Sequence, residues 1–287
     1  MHSGLQLRSD YAHSPEGLSE LTKLIRDVFG VDISPLNTLG HDPSVVAFGW
    51  WRGGELVANV SLYQRQLWLS GEQVRAYGVQ SAAVRPELRG QGLFRDLMHR
   101  ALDYADARVS LVTLATGTPN LYAPFGFRSV RESVFSGILP LEQRPSKSRR
   151  LSLTSKADVT LLLDLFARRV PTSLLAAACD HPALFMLKAV ECPEIELIHL
   201  FDLDAVVAVK GHDQAPVTLL DVVAPSIPSL EDIAAALGYD GARIDVHLTP
   251  DRLGWAPEEN VPVDTGCMVR GPYPPEGRPL MLSSMKV

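Results

Sequence analysis

Cysteine is scarce in this chain. Only Cys179, Cys192 and Cys267 occur in 287 residues, too few and too scattered for a disulfide framework. No apolar run approaches the roughly 20 residues that cross a bilayer. The first residues, Met1 to Arg8, lack the basic segment followed by an apolar one that marks a secretory signal. These absences lead us to expect a cytoplasmic protein without a membrane partner. A basic excess is missing too: 27 Lys and Arg face 33 Asp and Glu, a net charge of −6, which argues against nucleic acid, whose readers carry a basic face. The eight histidines show no metal-ligand spacing, and Cys179-Asp180-His181 stands alone without a partner pair, so no metal is expected. No Gly-x-Ser-x-Gly elbow supplies a hydrolase nucleophile. With 46% hydrophobic and 21% charged residues, the composition is that of an ordinary globular protein, long enough for one large or two modest domains.

The richest stretch is Val84-Arg85-Pro86-Glu87-Leu88-Arg89-Gly90-Gln91-Gly92-Leu93-Phe94. Pro86 disfavours helical backbone at Arg85, so a strand from Val74 to Val84 should end there and turn. Beyond it, Leu93, Phe94, Leu97, Met98, Ala101, Leu102 and Ala105 recur at helical spacing, with Arg95, Asp96, Arg100, Asp103 and Asp106 on the other face. A helix that starts directly after a glycine-bearing loop points free N–H groups and its positive dipole end at its neighbour. The natural guest is a phosphate.

A Walker A loop is excluded, because no Gly-Lys-Ser/Thr follows. A dinucleotide-binding turn is excluded as well: Arg95 stands where its third glycine belongs, and the following strand (Val109 to Ala115) ends in Thr116-Gly117-Thr118 without a carboxylate. An acyl-coenzyme A loop is what remains. Arg89-x-x-Gly92-x-Phe94 resembles the Arg/Gln-x-x-Gly-x-Gly/Ala signature of the GCN5-related N-acetyltransferases (GNAT). Asn120-Leu121-Tyr122-Ala123-Pro124-Phe125-Gly126-Phe127 resembles that family's Tyr-x-x-hydrophobic-Gly-Phe element, in the right order and at the right distance.

Further strands are expected at Leu5–Arg8, Val45–Trp51 and Glu55–Trp68, with a helix over Glu16–Phe29 and a β-rich Arg128–Leu139 closing the first sheet. The polar, basic segment 142–150 reads as a linker. Past it, a hairpin (Leu197–Phe201 and Ala205–Lys210), a strand at Val217–Val223, a helix at Ser229–Leu237 and strands at Arg243–Leu248 and Cys267–Arg270 echo the first half. Nothing between Val223 and Ser229 replaces the Arg-x-x-Gly loop. The expected fold class is therefore α+β: two GNAT-like domains in tandem, each a mixed, mostly antiparallel sheet flanked by helices. Residues 1–141 form the acetyl-CoA-binding domain and residues 151–287 a degenerate second one. A generic α+β accessory domain is the plainer alternative for the second half. The tandem order looks like the enhanced-intracellular-survival family of aminoglycoside acetylating enzymes, whose third, sterol-carrier-like domain this chain is too short to hold.

The resemblance implies acetyl-CoA as co-substrate and a small-molecule primary amine as acceptor, joined in a ternary complex. Arg89, Gly90, Gln91, Gly92, Leu93, Phe94 and Arg95 would grip the diphosphate; Ala82, Ala83 and Val84 would hold the pantetheine arm, flanked by Gly117 and Thr118. Phe94 departs from the small residue usual in the family, and a place in the helix's buried face is an equal account of it. Tyr122 would protonate the departing thiolate; a core tyrosine is the plainer reading. No general base stands out among Asp32, Asp42, Glu72 and Glu132, and the terminal carboxylate of Val287 is a further candidate, because some tandem relatives use theirs. A longer acyl donor, or a coenzyme A-binding sensor without turnover, are the alternatives. A homo-oligomer is compatible with all three.

Overall fold

The computed structural model describes residues 4–9, 11–139, 147–211, 216–239 and 243–285. β1 (Gln6–Ser9) leads to α1 (Pro15–Phe29). The Ser14 hydroxyl accepts the Gly17 N–H at 3.0 Å to cap α1, Pro15 opens it, and Gly30 ends it at φ 71°. The short α2 (Leu36–Leu39) precedes a hairpin of β2 (Val46–Arg52) and β3 (Glu55–Leu69). Arg52 faces Glu55 across it, and Gly53 and Gly54, at φ 57° and 88°, supply the positive pair that a two-residue turn demands. β4 (Glu72–Val84) then runs into the glycine loop and α3 (Leu93–Asp106), which buries Leu93, Leu97, Met98, Ala101, Leu102 and Ala105, the stripe that the spacing predicts. After β5 (Val112–Ala115) come two 3-10 turns, Pro119–Leu121 and Ala123–Phe125, then β6 (Arg128–Ser129) and β7 (Glu132–Ile138).

The rest of the chain supplies β8 (Ser148–Arg150), α4 (Lys156–Arg168), β9 (Ala176–Ala178), α5 (Pro182–Glu191), β10 (Glu196–Leu200) and β11 (Ala205–Lys210). β12 (Val217–Val223), α6 (Leu230–Leu237), β13 (Arg243–Val246), β14 (Glu259–Val263) and β15 (Cys267–Arg270) complete it. Two compact units result, one of Met1–Arg65, Arg75–Ser129 and Gly266–Pro272, the other of Gln66–Val74, Val130–Thr265 and Tyr273–Val287.

One sheet runs β1-β2-β3-β4-β5-β15-β6, with β9 on the far end of β3; the other runs β8-β10-β11-β12-β13-β7-β14. Position by position the two orders agree. Each has one parallel pair joined by a helix, β4-α3-β5 and β12-α6-β13, and an antiparallel strand beyond it. In the first unit, α3 packs Leu97, Met98 and Ala101 on Val57, Val60 and Tyr77, while Leu21, Leu24 and Ile25 of α1 pack with Trp51 and Leu56. In the second, Ile233, Ala234 and Leu237 of α6 lie on Val207, Leu219 and Val246.

Three expectations change. The strand at 132–138 does not close the first sheet: it pairs with β13 and β14, and β15 takes the place between β5 and β6. Within the segment read as a linker, residues 142–146 lie outside the described ones, and Ser148–Arg150 is an edge strand on β10. Residue 141 therefore divides the chain but not the sheets.

Candidate active site

The parallel contact between β4 and β5 is short. Tyr77 faces Val112 and Gly78 faces Thr113, after which β4 runs on to Val84 without that partner. The strands part and expose backbone groups of β4. Where they part, Ser81 has φ 53°, a left-handed residue in the middle of a strand. Such an angle in a non-glycine residue is a local irregularity of the strand, here termed the β4 bulge. Its one sequence signal is the polar pair Asn59 and Ser61 among apolar residues of the adjacent β3.

At the end of β4 the chain makes a 3-10 turn, Pro86–Leu88, and passes Gly90 and Gly92, both left-handed at φ 76° and 83°. A Cβ at either glycine would meet nothing within 4 Å. Conformation rather than crowding demands glycine here. The first helical bond of α3 runs from the Asp96 N–H to the Gly92 carbonyl, and no side chain caps the N-terminus. The N–H groups of Leu93, Phe94 and Arg95 thus precede the helical ladder, at its positive end.

The splayed strands, the loop and the first 3-10 turn after β5 border one cleft of about 1160 Å³. It brings together Ala82, Val84, Arg89, Gly90, Gly92, Leu93, Phe94, Arg95, Gly117, Thr118 and Tyr122. Ala83 and Gln91 are not among its lining residues; the Ala83 side chain turns the other way, into the core beside Trp51 and Leu24. Arg89 folds back, its Nε donating to the Val84 carbonyl at 3.2 Å, whereas Arg95 stands exposed at the loop's end. With His99 these are the titratable nitrogens of the cleft, and none of its described lining residues is Asp or Glu. Oriented N–H groups, two guanidinium groups and no carboxylate suit a diphosphate.

Tyr122 sits between the two 3-10 turns and is 9% exposed. Its ring is held edge-on by Phe94 at 5.5 Å and by Phe127 at 6.2 Å. Burial pushes its phenol above the ordinary value, and a hydrogen bond from Thr116 opposes this in part. The group is therefore a proton donor at neutral pH. Phe94, half-buried, lines the cleft and fixes Tyr122, so its two alternative roles coincide.

None of Asp32, Asp42, Glu72 and Glu132 is among the cleft's described lining residues. Asp32 is held at about 2, chiefly by the Arg26 guanidinium at 2.7 Å and then by the Ser34 N–H, which makes it a feeble base. Asp42 accepts the Ser44 N–H at 2.8 Å in a tight turn. Glu72 and Glu132 belong to the other unit, where buried Glu132 accepts the Leu282 N–H at 2.9 Å and the Thr265 hydroxyl. Val287 lies outside the described residues.

Residues 14–130 match the family model described as an acetyltransferase (GNAT) domain. That match supports an acyl-CoA-dependent N-acyltransferase as the class of enzyme. No curated protein matches the sequence. Among solved structures, the chain is similar to a GCN5-related N-acetyltransferase from Kribbella flavida (20% identity, TM-score 0.57, 93% of this chain and 71% of that one). It is similar also to Eis1 from Mycobacterium abscessus (17%, 0.60, 93% and 74%) and to a GCN5-related N-acetyltransferase from Anabaena variabilis (14%, 0.59, 92% and 72%). At these identities the likeness is one of fold, and it spans both sheets: two GNAT-like domains in tandem. No described helix is long and apolar enough to cross a membrane.

Proposed function

We propose that the protein transfers an acetyl group from acetyl-CoA directly to a small-molecule primary amine, both bound at once. The observation that carries this reading is the convergence of the uncapped α3 N-terminus, the bulged β4 and the Tyr122 hydroxyl on one cleft without a carboxylate. Arg89, Arg95 and the N–H groups of residues 90–95 take the diphosphate. Backbone groups at Ser81, Ala82 and Val84 line the pantetheine arm and the thioester carbonyl, with Gly117 and Thr118 opposite. The neutral amine attacks the carbonyl carbon, and the amide C–N bond forms as the C–S bond breaks. N–H dipoles at the bulge face the negative charge gathering on the carbonyl oxygen. Tyr122 Oη gives its proton to the departing sulfur, and the amine releases one to water.

The test is amine-dependent release of coenzyme A. Tyr122→Phe leaves the ring packing in place and removes only the proton donor, so kcat should fall by about 100-fold while the Kd for acetyl-CoA stays near that of the wild type. An unchanged kcat removes Tyr122 from the mechanism. The lack of Asp or Glu among the cleft's described lining residues favours, as a second reading, a coenzyme A-binding sensor. Tight binding without thiol release across a broad amine panel would select it.

A further inference from the structure

Asn59 is fully buried in β3. Its amide nitrogen donates to the Ser81 carbonyl at 2.7 Å and to Ser61 Oγ at 3.0 Å; its amide oxygen accepts from the Tyr11 hydroxyl. The directions are forced. A carbonyl only accepts, so the nitrogen must face Ser81, and the oxygen then faces Tyr11, whose hydroxyl must donate. Tyr11 is 2% exposed, and burial keeps its phenol protonated far above the ordinary range. Its seat is shaped for it. A Cβ on Gly49 would lie 2.3 Å from the Tyr11 hydroxyl oxygen, and Trp51 meets the ring edge-on at 5.1 Å.

The far end of this chain of hydrogen bonds is the left-handed residue of β4. Ser81 holds φ 53° without being glycine, a conformation that persists only where surrounding groups impose it. The Ser81 carbonyl takes a donor from the neighbouring strand, the Asn59 amide, and Tyr11 fixes which way that amide points. Ser81 and Ala82 line the cleft, so the clamp sets the backbone that meets the donor.

We propose that Asn59, oriented by Tyr11, is a positioning residue for the acyl group: the pair locks the Ser81 bulge so that its backbone groups meet the thioester carbonyl. This rests on the reading given under Proposed function. Neither side chain touches the donor; both act through Ser81.

The test uses Tyr11→Phe, which deletes one hydroxyl, in the full chain, with Asn59→Leu as the stronger variant. Hydrogen–deuterium exchange of the ligand-free protein should accelerate by about tenfold across residues 79–85 in Tyr11→Phe, with little change in α3. In turnover assays kcat with acetyl-CoA should fall by about tenfold or more, while the Kd of free coenzyme A, which has no acyl carbonyl, changes by less than about threefold. The penalty should shrink when Tyr11→Phe is placed on Ser81→Gly, because glycine holds the left-handed angle unaided. Unaltered exchange at 79–85, or the same kinetic penalty in both backgrounds, overturns the clamp. Faster exchange in a protein that binds neither acetyl-CoA nor coenzyme A supports the clamp on the bulge and overturns the reading of the cleft instead.

Discussion

Gly92→Ala isolates the physical content of the glycine loop. At φ 83° an alanine is strained, but its Cβ meets nothing within 4 Å, so the penalty is purely conformational. Left-handed backbone costs an L-residue about 1–2 kcal/mol, and the stiffer unfolded chain returns about 0.4–1 kcal/mol of that. The net destabilisation is then about 1 kcal/mol, a fall in Tm of about 2–4 °C for a chain of this size. Gly117→Ala provides the baseline: that Cβ too meets nothing, the backbone angle is ordinary, and stability should hold or rise slightly. Binding is where the two variants separate further. Should the loop relax toward negative φ, it would misalign one charge-assisted N–H contact, contributing about 1.5–3 kcal/mol. That corresponds to a loss of about tenfold to a hundredfold in affinity. Calorimetric titration with coenzyme A alongside thermal melting reads both quantities. A Gly92→Ala protein that melts lower yet binds coenzyme A like the wild type shows that the loop is not the diphosphate site. One that neither melts lower nor binds more weakly shows that the left-handed angle is dispensable.

Arg95 is exposed beside the loop, where salt would screen the contact proposed for it with the diphosphate. Arg95→Gln should weaken coenzyme A binding about fivefold at low ionic strength and flatten its salt dependence; parallel salt curves for the two proteins count against the contact. Burial raises the phenol pKa of both Tyr11 and Tyr122. An unfolded tyrosine ionises near 10, so the stability these residues contribute is complete below about pH 10 and declines as pH climbs toward their folded values. Urea midpoints from pH 8 to 11 should drop at the alkaline end, less steeply in Tyr122→Phe, and identical slopes would exclude this linkage. In the second unit, Arg169 and Asp221 form a buried pair whose side chains are each 6% exposed. Asp221→Leu strands the cation and should cost about 3 kcal/mol or more, read as a lower denaturation midpoint; a loss under about 1 kcal/mol means that Arg169 finds water or another partner.

The parts of the fold written in local pattern were legible in the sequence. α3 follows from its apolar stripe, the β2–β3 hairpin from Gly53-Gly54, and the start of α1 from Ser14-Pro15. The left-handed angles of the loop follow from Gly90 and Gly92, whereas the role expected of Tyr122 came from the family resemblance and not from its own spacing. The bulge was invisible in its own residue, since serine has no preference for φ 53°, and its support lies 22 positions away in Asn59. The exchange of β7 and β15 was equally hidden. Both are short strands of mixed composition, and only long-range pairing, Cys267 opposite Ala115 and Ile138 opposite Arg243, decides between the two sheets.

The two parallel units differ at their helix N-termini. β4-α3-β5 and β12-α6-β13 are equivalent units, and each places a helix N-terminus after a strand that outruns its parallel neighbour. At α3 the cap is Gly92, which offers no side chain, and the positive end stays open to an outside anion. At α6 the cap is Ser229, whose hydroxyl accepts the Asp232 N–H at 3.0 Å and donates to the Asp232 carboxylate at 2.7 Å. Glu231 and Asp232 in that first turn bring their own negative charge to the dipole. A phosphate arriving there would meet a satisfied N-terminus and two like charges. An N-terminus with this cap and these acids suits a diphosphate poorly, whereas the open α3 end fits the proposed site.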